Sequence, residues 1–140
     1  MTKNKNSDFW ADILPTTSES SLKALMKEQA MYLKQKTKGL LIAEVVTHAF
    51  ADTLIPHTKE SKVTKFSQIF YLVAPTLKYR YELFSVSHAI LDYPAEFTYD
   101  DDDTKITANN EENFLAILKQ ILGSEKTRRI VASLLTQVRK

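Results

Sequence analysis

The residues of this 140-residue chain best suited to acid–base or metal chemistry are three histidines, His48, His57 and His88, and the glutamates nearest to two of them. Glu44 and His48 lie four positions apart, Glu82 and His88 six apart, and both pairs fall in stretches that read as β-strands. Even spacing along a strand puts two side chains on one face. If the two strands are in register, Glu44, His48, Glu82 and His88 converge, and carboxylates beside imidazoles are the parts of a hydrolytic general-base site. The same four residues also fit hydrogen-bonded polar groups at the rim of a core. That reading is preferred, so no catalytic residue is assigned. The histidines lack the i, i+4 spacing of a helical zinc site and the chain has no cysteine, so neither a metal nor a cofactor is expected.

Other chemistries are excluded on composition. The chain has only two glycines, Gly39 and Gly123, and helix C-capping accounts for both. None remains for a dinucleotide fingerprint, a phosphate-binding loop or a nucleophile elbow. The run Asp100–Asp103 lacks the alternating ligands and central glycine of a calcium loop.

Two surfaces offer binding chemistry. The net charge of +2 is distributed unevenly: residues 1–38 carry +3, 39–90 +1, 91–112 −7 and 113–140 +5. Lys126, Arg128 and Arg129 open the last helical stretch, Arg139 and Lys140 close it, and Tyr79-Arg80-Tyr81 sets stacking and phosphate-binding groups on a strand. Arg80, Lys126, Arg128 and Arg129 are therefore the nucleic-acid-binding candidates. Basic groups at the start of a helix oppose its dipole, so an acidic group should face them, and the acidic run 100–103 is the expected one. It could equally be a solvated loop.

The elements that must position these residues follow from periodicity. Residues 1–6 read as frayed and 7–15 as a docking arm carrying Phe9, Trp10, Ile13 and Leu14. Thr16 and Glu19 fit a capping box, and Leu22, Leu25, Met26, Gln29 and Leu33 predict a helix to about Lys38, ended by Gly39. Leu40–Phe50, Phe66–Ala74 and Tyr79–Ile90 read as strands, the last two joined by a turn at Pro75–Lys78. The segment Asp52–Lys62 reads as a mobile loop. Tyr93–Tyr99 reads as a fourth strand that Pro94 confines to an edge. Residues 100–110 read as an acidic loop, and Asn109 and Asn110 are both good N-caps, Asn109 with Glu112 three residues on. A helix bearing Phe114, Ile117, Leu118 and Ile121 ends at Gly123, and Ser124 starts another with Ile130, Val131, Leu134, Leu135 and Val138 inward.

The expected fold is a single α+β domain over 1–140: an N-terminal helix, a three- to four-stranded, mainly antiparallel meander and two C-terminal helices. The hydrophobic share of 44% and the charged share of 26% suit such a domain. The chain starts with polar residues, no apolar run approaches a membrane span, and no membrane contact is expected; the expected location is the cytoplasm. A helix–three-strand–helix order is similar to that of restriction-endonuclease-like nucleases, which hold a metal with an acid and a Glu-x-Lys. Here Asp92 and Glu96 are the nearest acidic pair, but Phe97 and Thr98 follow Glu96 and Lys105 is too distant, so the resemblance implies at most a degenerate member.

The segments Val73–Phe84 (VAPTLKYRYELF) and Leu118–Ile130 (LKQILGSEKTRRI) resemble small bacterial proteins of unknown function and about this length. That resemblance implies a bacterial, single-domain origin and no particular activity.

One pattern points to partners. In the first strand neither alternate set, Leu40, Ile42, Glu44, Val46, His48 and Phe50 or Leu41, Ala43, Val45, Thr47 and Ala49, is plainly a water face. A sheet apolar on both sides must be covered on both. Three helices with the arm, or a second copy of the chain, would provide that cover. The function expected is a non-catalytic binding or assembly module working through protein contacts or as a homodimer, with nucleic-acid binding as the alternative.

Overall fold

Ser21, itself in extended backbone, turns the chain into helix α1, Leu22–Lys36, its hydroxyl accepting the N–H of Ala24 at 3.1 Å. The structure, a computed structural model, describes residues 21–53, 62–99 and 104–139. The expectations for residues 1–6, the arm 7–15 and the Thr16–Glu19 box lie outside the described residues.

Lys38 (φ 53°) and Gly39 (φ 83°) both take left-handed backbone at the end of α1, and the Gly39 N–H reaches back to the Lys34 carbonyl. The Thr37 hydroxyl lies 2.9 Å from the carbonyls of both Leu33 and Leu41 and accepts the Leu41 N–H, fastening the helix end to the start of the sheet. Five strands follow: β1 Ile42–Thr53, β2 Lys62–Ala74, β3 Tyr79–His88, β4 Ala95–Tyr99 and β5 Thr104–Ala108. They pair antiparallel in sequence order, and helices α2 (Glu111–Leu122) and α3 (Glu125–Val138) close the chain. This is the expected α+β order with five strands in place of three or four.

Each departure has a local cause. β5 lies in the segment read as an acidic loop, because Thr-Lys-Ile-Thr-Ala turns only Ile106 and Ala108 toward apolar neighbours. With β5 paired to it, β4 is an internal strand, not an edge. Pro94, joined to Tyr93 by a cis peptide bond, precedes β4 and takes no place in its ladder. β1 and β2 extend into the expected loop as far as Thr53 and back to Lys62; residues 54–61 and 100–103 lie outside the described residues. Of the two expected caps of α2, Asn110 takes the role, accepting the Asn113 N–H at 2.8 Å. Gly123 and Ser124 end and restart the helices as expected.

One sheet face carries the core. Phe70, Leu72 and Ala74 of β2, Phe84 and Val86 of β3, Ala95 and Phe97 of β4 and Ala108 of β5 are buried together with Leu22, Met26, Phe114, Leu118, Ile121 and Leu134 of the helices. Aromatic rings cross this layer, with Phe70–Phe84 at 5.0 Å, Phe84–Phe97 at 5.7 Å and Phe97–Phe114 at 5.0 Å between centroids. Such pairs add ~0.5–1.5 kcal/mol each beyond the area they bury. All three helices contribute to this one layer. No helix among the described residues is long and apolar enough to cross a membrane.

Candidate functional site

A β-bulge decides where the sequence-predicted residues go. Phe70 faces Phe84, but Tyr71 faces Glu82, so Leu83 is an extra residue in β3. A bulge resets the alternation of the strand that carries it. Glu82 therefore shares a face with Tyr71 and Glu44, while His88, six residues on, lies on the helix-covered face with Phe84 and Val86. The quartet Glu44, His48, Glu82 and His88 is thus divided: the first three are on the outer face and His88 is inside.

His88 is 8% exposed, stacked 5.7 Å from Phe66, and ends a chain of hydrogen bonds that runs from exposed Thr47 through buried Gln68. Its Nδ1 lies 2.8 Å from the Ala89 carbonyl, its Nε2 lies 3.2 Å from Gln68 Nε2, and the Thr47 hydroxyl lies 2.6 Å from Gln68 Oε1. The carbonyl can only accept, so Nδ1 carries the proton, Nε2 accepts from the amide and Gln68 Oε1 accepts from Thr47. Every ring nitrogen of His88 is occupied within the fold. Among the described residues no three His, Asp or Glu side chains form a metal-holding group.

The basic candidates are also separated. Arg80 lies on the outer face, its guanidinium 3.9 Å from the Tyr71 ring centroid and 3.7 Å from Glu44 Oε1. Tyr79 and Tyr81 face the other way and line a shallow cleft of about 250 Å3 with Arg129 and Ile130 of α3. Arg128 and Arg129 both reach Glu125, at 3.9 and 3.1 Å, and Lys126 lies 5.6 Å over the Tyr99 ring. Glu125, in the first turn of α3, answers the dipole conflict locally; the sequence reading had looked for that charge at 100–103, outside the described residues. Asp92, one of the nuclease-like acids, caps α1 from the β3–β4 connection, accepting the Leu22 N–H at 2.9 Å. Glu96, the other, stands on the outer face opposite Ser87 and Thr107.

What remains is a surface. The register sets out the outer face in cross-strand rows: Ile42–Val73–Arg80, Glu44–Tyr71–Glu82, Val46–Ile69–Ser85–Thr98–Lys105 and His48–Ser67–Ser87–Glu96–Thr107, with Phe50 beside Lys65. The β3–β5 half is polar throughout, as a water face should be. The β1–β2 half bears Ile42, Val46, Phe50, Ile69, Tyr71 and Val73. None of these six joins the buried core; Phe50 is 41% exposed and the other five are half-buried.

The edge of the same half is open. β1 and β5 are the two edge strands of the five described. β5 is protected by its five-residue length and by Lys105, both usual ways of blocking unwanted strand pairing. β1 has neither device: its 12 residues, ~40 Å of extended chain, include no lysine, arginine, proline or glycine. Beside it a cleft of about 550 Å3 runs between Lys27, Ala30, Met31 and Lys34 of α1 and residues 42–46, and Met31 is 51% exposed there. A second, apolar groove separates α1 from the C-terminal helices over Phe70, Leu72 and Leu83.

The class defined by these features is an antiparallel five-stranded sheet with one helix-covered face, one half-apolar open face and an unblocked long edge. Comparison with protein-family models, with curated proteins and with solved structures gave no match.

Proposed function

We propose that this protein is a non-catalytic binding and assembly module that makes protein–protein contacts through the β1 side of its sheet. The observation that carries the reading is the coincidence, on one side of the molecule, of a 12-residue edge strand without lysine, arginine, proline or glycine and an apolar half-face outside the buried core. Either feature alone marks an interaction surface, since exposed edges template strand addition and contiguous apolar patches mark contact sites. A bacterial cytoplasm is the setting this reading assumes, in line with a cysteine-free chain.

The test uses an environment-sensitive apolar dye together with sedimentation velocity. The intact chain should either bind the dye or sediment above its monomer mass. Val46→Lys and Ile69→Lys should abolish both responses, whereas Thr107→Lys, on the polar half of the same face, should leave them unchanged. A strict monomer that binds no dye contradicts the reading.

The cleft that joins Tyr79 and Tyr81 to Arg129 favours a second reading, binding of a nucleic-acid strand by stacking and phosphate contact. It predicts salt-sensitive retention of single-stranded nucleic acid that weakens in Arg128→Ala and Arg129→Ala. Both arginines are already engaged by Glu125 and Arg80 is on the opposite face, so protein contact is the stronger proposal.

A further inference from the structure

The stretch Ile42–Phe50 of β1 is self-complementary about Val46, and we infer that the partner β1 takes is a second copy of β1, paired antiparallel about a two-fold axis at Val46. The inference rests on the proposed contact surface and names its occupant and register.

A two-fold pairing of two identical strands makes residue i face residue j with i + j constant, and an even constant keeps outer-face residues opposite outer-face residues. Few centres are then available within Ile42–Phe50. Centred on Glu44, the two copies set carboxylate against carboxylate, which is destabilising. Centred on Val45, Glu44 faces Val46 and His48 faces Ile42. Centred on Thr47, Glu44 faces Phe50. Centred on His48, the two imidazoles face each other and Val46 faces Phe50.

Only the Val46 centre sets apolar residues against apolar ones and the carboxylate against a hydrogen-bonding imidazole. There Ile42 faces Phe50 and Glu44 faces His48, each pair made twice by symmetry, and Val46 faces Val46 once, on the axis. On the helix side the same register sets Ala43 against Ala49 and Val45 against Thr47, small or branched residues that let two ladders approach without a clash. Glu44 is already held on the outer face by Arg80 reaching over Tyr71, so the carboxylate is positioned before the second copy arrives. The product is a continuous ten-stranded antiparallel sheet, two copies of the five-stranded order joined at β1. Pairing removes the unblocked edge from both copies, and the cleft between α1 and β1 then opens onto the second copy and no longer onto water.

The chain contains no cysteine, so single introduced thiols report the register without background. Val46→Cys should give a covalent dimer with a short thiol cross-linker far more readily than Glu44→Cys, His48→Cys or the distant Thr107→Cys. Ile42→Cys mixed with Phe50→Cys should give the mixed dimer. A charge test is independent of cross-linking. His48→Glu alone sets carboxylate against carboxylate twice and should weaken self-association roughly tenfold. Mixing it with Glu44→Lys removes both repulsions, setting a lysine against the introduced glutamate in one pair and keeping Glu44 against His48 in the other, and should recover association toward the unsubstituted level. Far-ultraviolet circular dichroism of each single variant confirms that its monomer is folded. Cross-linking that peaks away from position 46, or mixing that gives no recovery, overturns the register. A chain that stays monomeric at all concentrations overturns the dimer, and if it still binds the apolar dye the contact-surface reading survives without it.

Discussion

Tyr93 holds the one buried side-chain polar atom without a partner among the described residues, its hydroxyl enclosed where the ring meets Phe114 edge-on at 6.3 Å. Burial, reinforced by the carboxylates of Asp92 and Glu111, pushes its phenol from 10.0 up to about 12. The folded state therefore disfavours the phenolate, so the stability this group contributes is complete below pH 10 and is lost as pH rises through about 12. Tyr93→Phe should flatten that alkaline decline and leave neutral-pH stability unchanged or slightly raised, because it removes an unsatisfied hydroxyl; thermal melts across the alkaline range measure both. Phe97 is the opposite case, fully buried between Phe84 and Phe114. Phe97→Ala should cost ~3–5 kcal/mol in denaturant unfolding. Even spacing in the sequence puts His88 and Glu82 on one face of β3, whereas the structure puts them on opposite faces. Leu83 as a bulge residue has no signature in composition or spacing; only the pairing of Tyr71 with Glu82 discloses it.

At the scale of elements, the helix ends were the most legible part of the sequence. Gly39 and Gly123 both stand at helix ends, yet for different reasons. Gly39 takes φ 83° with open space around it, whereas Gly123 has ordinary negative φ and a potential Cβ 3.2 Å from the Lys119 carbonyl. Gly39→Ala should therefore destabilise by about 1 kcal/mol through backbone strain alone, and Gly39→Asn by less, since asparagine tolerates left-handed backbone. Chemical denaturation of the pair checks the order. Ser124 links more than its own helix: it caps α3 through the Thr127 N–H, and its hydroxyl lies 2.6 Å from that of Tyr99 on β4. Ser124→Ala should cost at least the ~1 kcal/mol of a lost cap. β5 was not legible, because its alternation is short, polar and preceded by four aspartates. Its omission also misplaced β4 at an edge, showing how one unread strand changes the status of its neighbour.

At the scale of the whole molecule, the apolar character of both faces of β1 was visible from residues 40–50, and the structure resolves it into two different surfaces. The set Ala43, Val45, Thr47 and Ala49 faces the helix side, and the set Ile42, Val46 and Phe50 is left on an open face at an open edge. The asymmetry between the edges is what the sequence could not disclose, since it requires knowing that β5 is short and that nothing pairs beyond β1 among the described strands. Intramolecular cover of β1 would be independent of concentration, whereas cover by a second copy follows mass action. Amide hydrogen exchange over residues 42–50, compared between dilute and concentrated protein, tests this most directly. Protection across β1 should rise with concentration while that of β5, the blocked edge, stays constant; exchange across β1 that is the same at every concentration would contradict assembly through this edge.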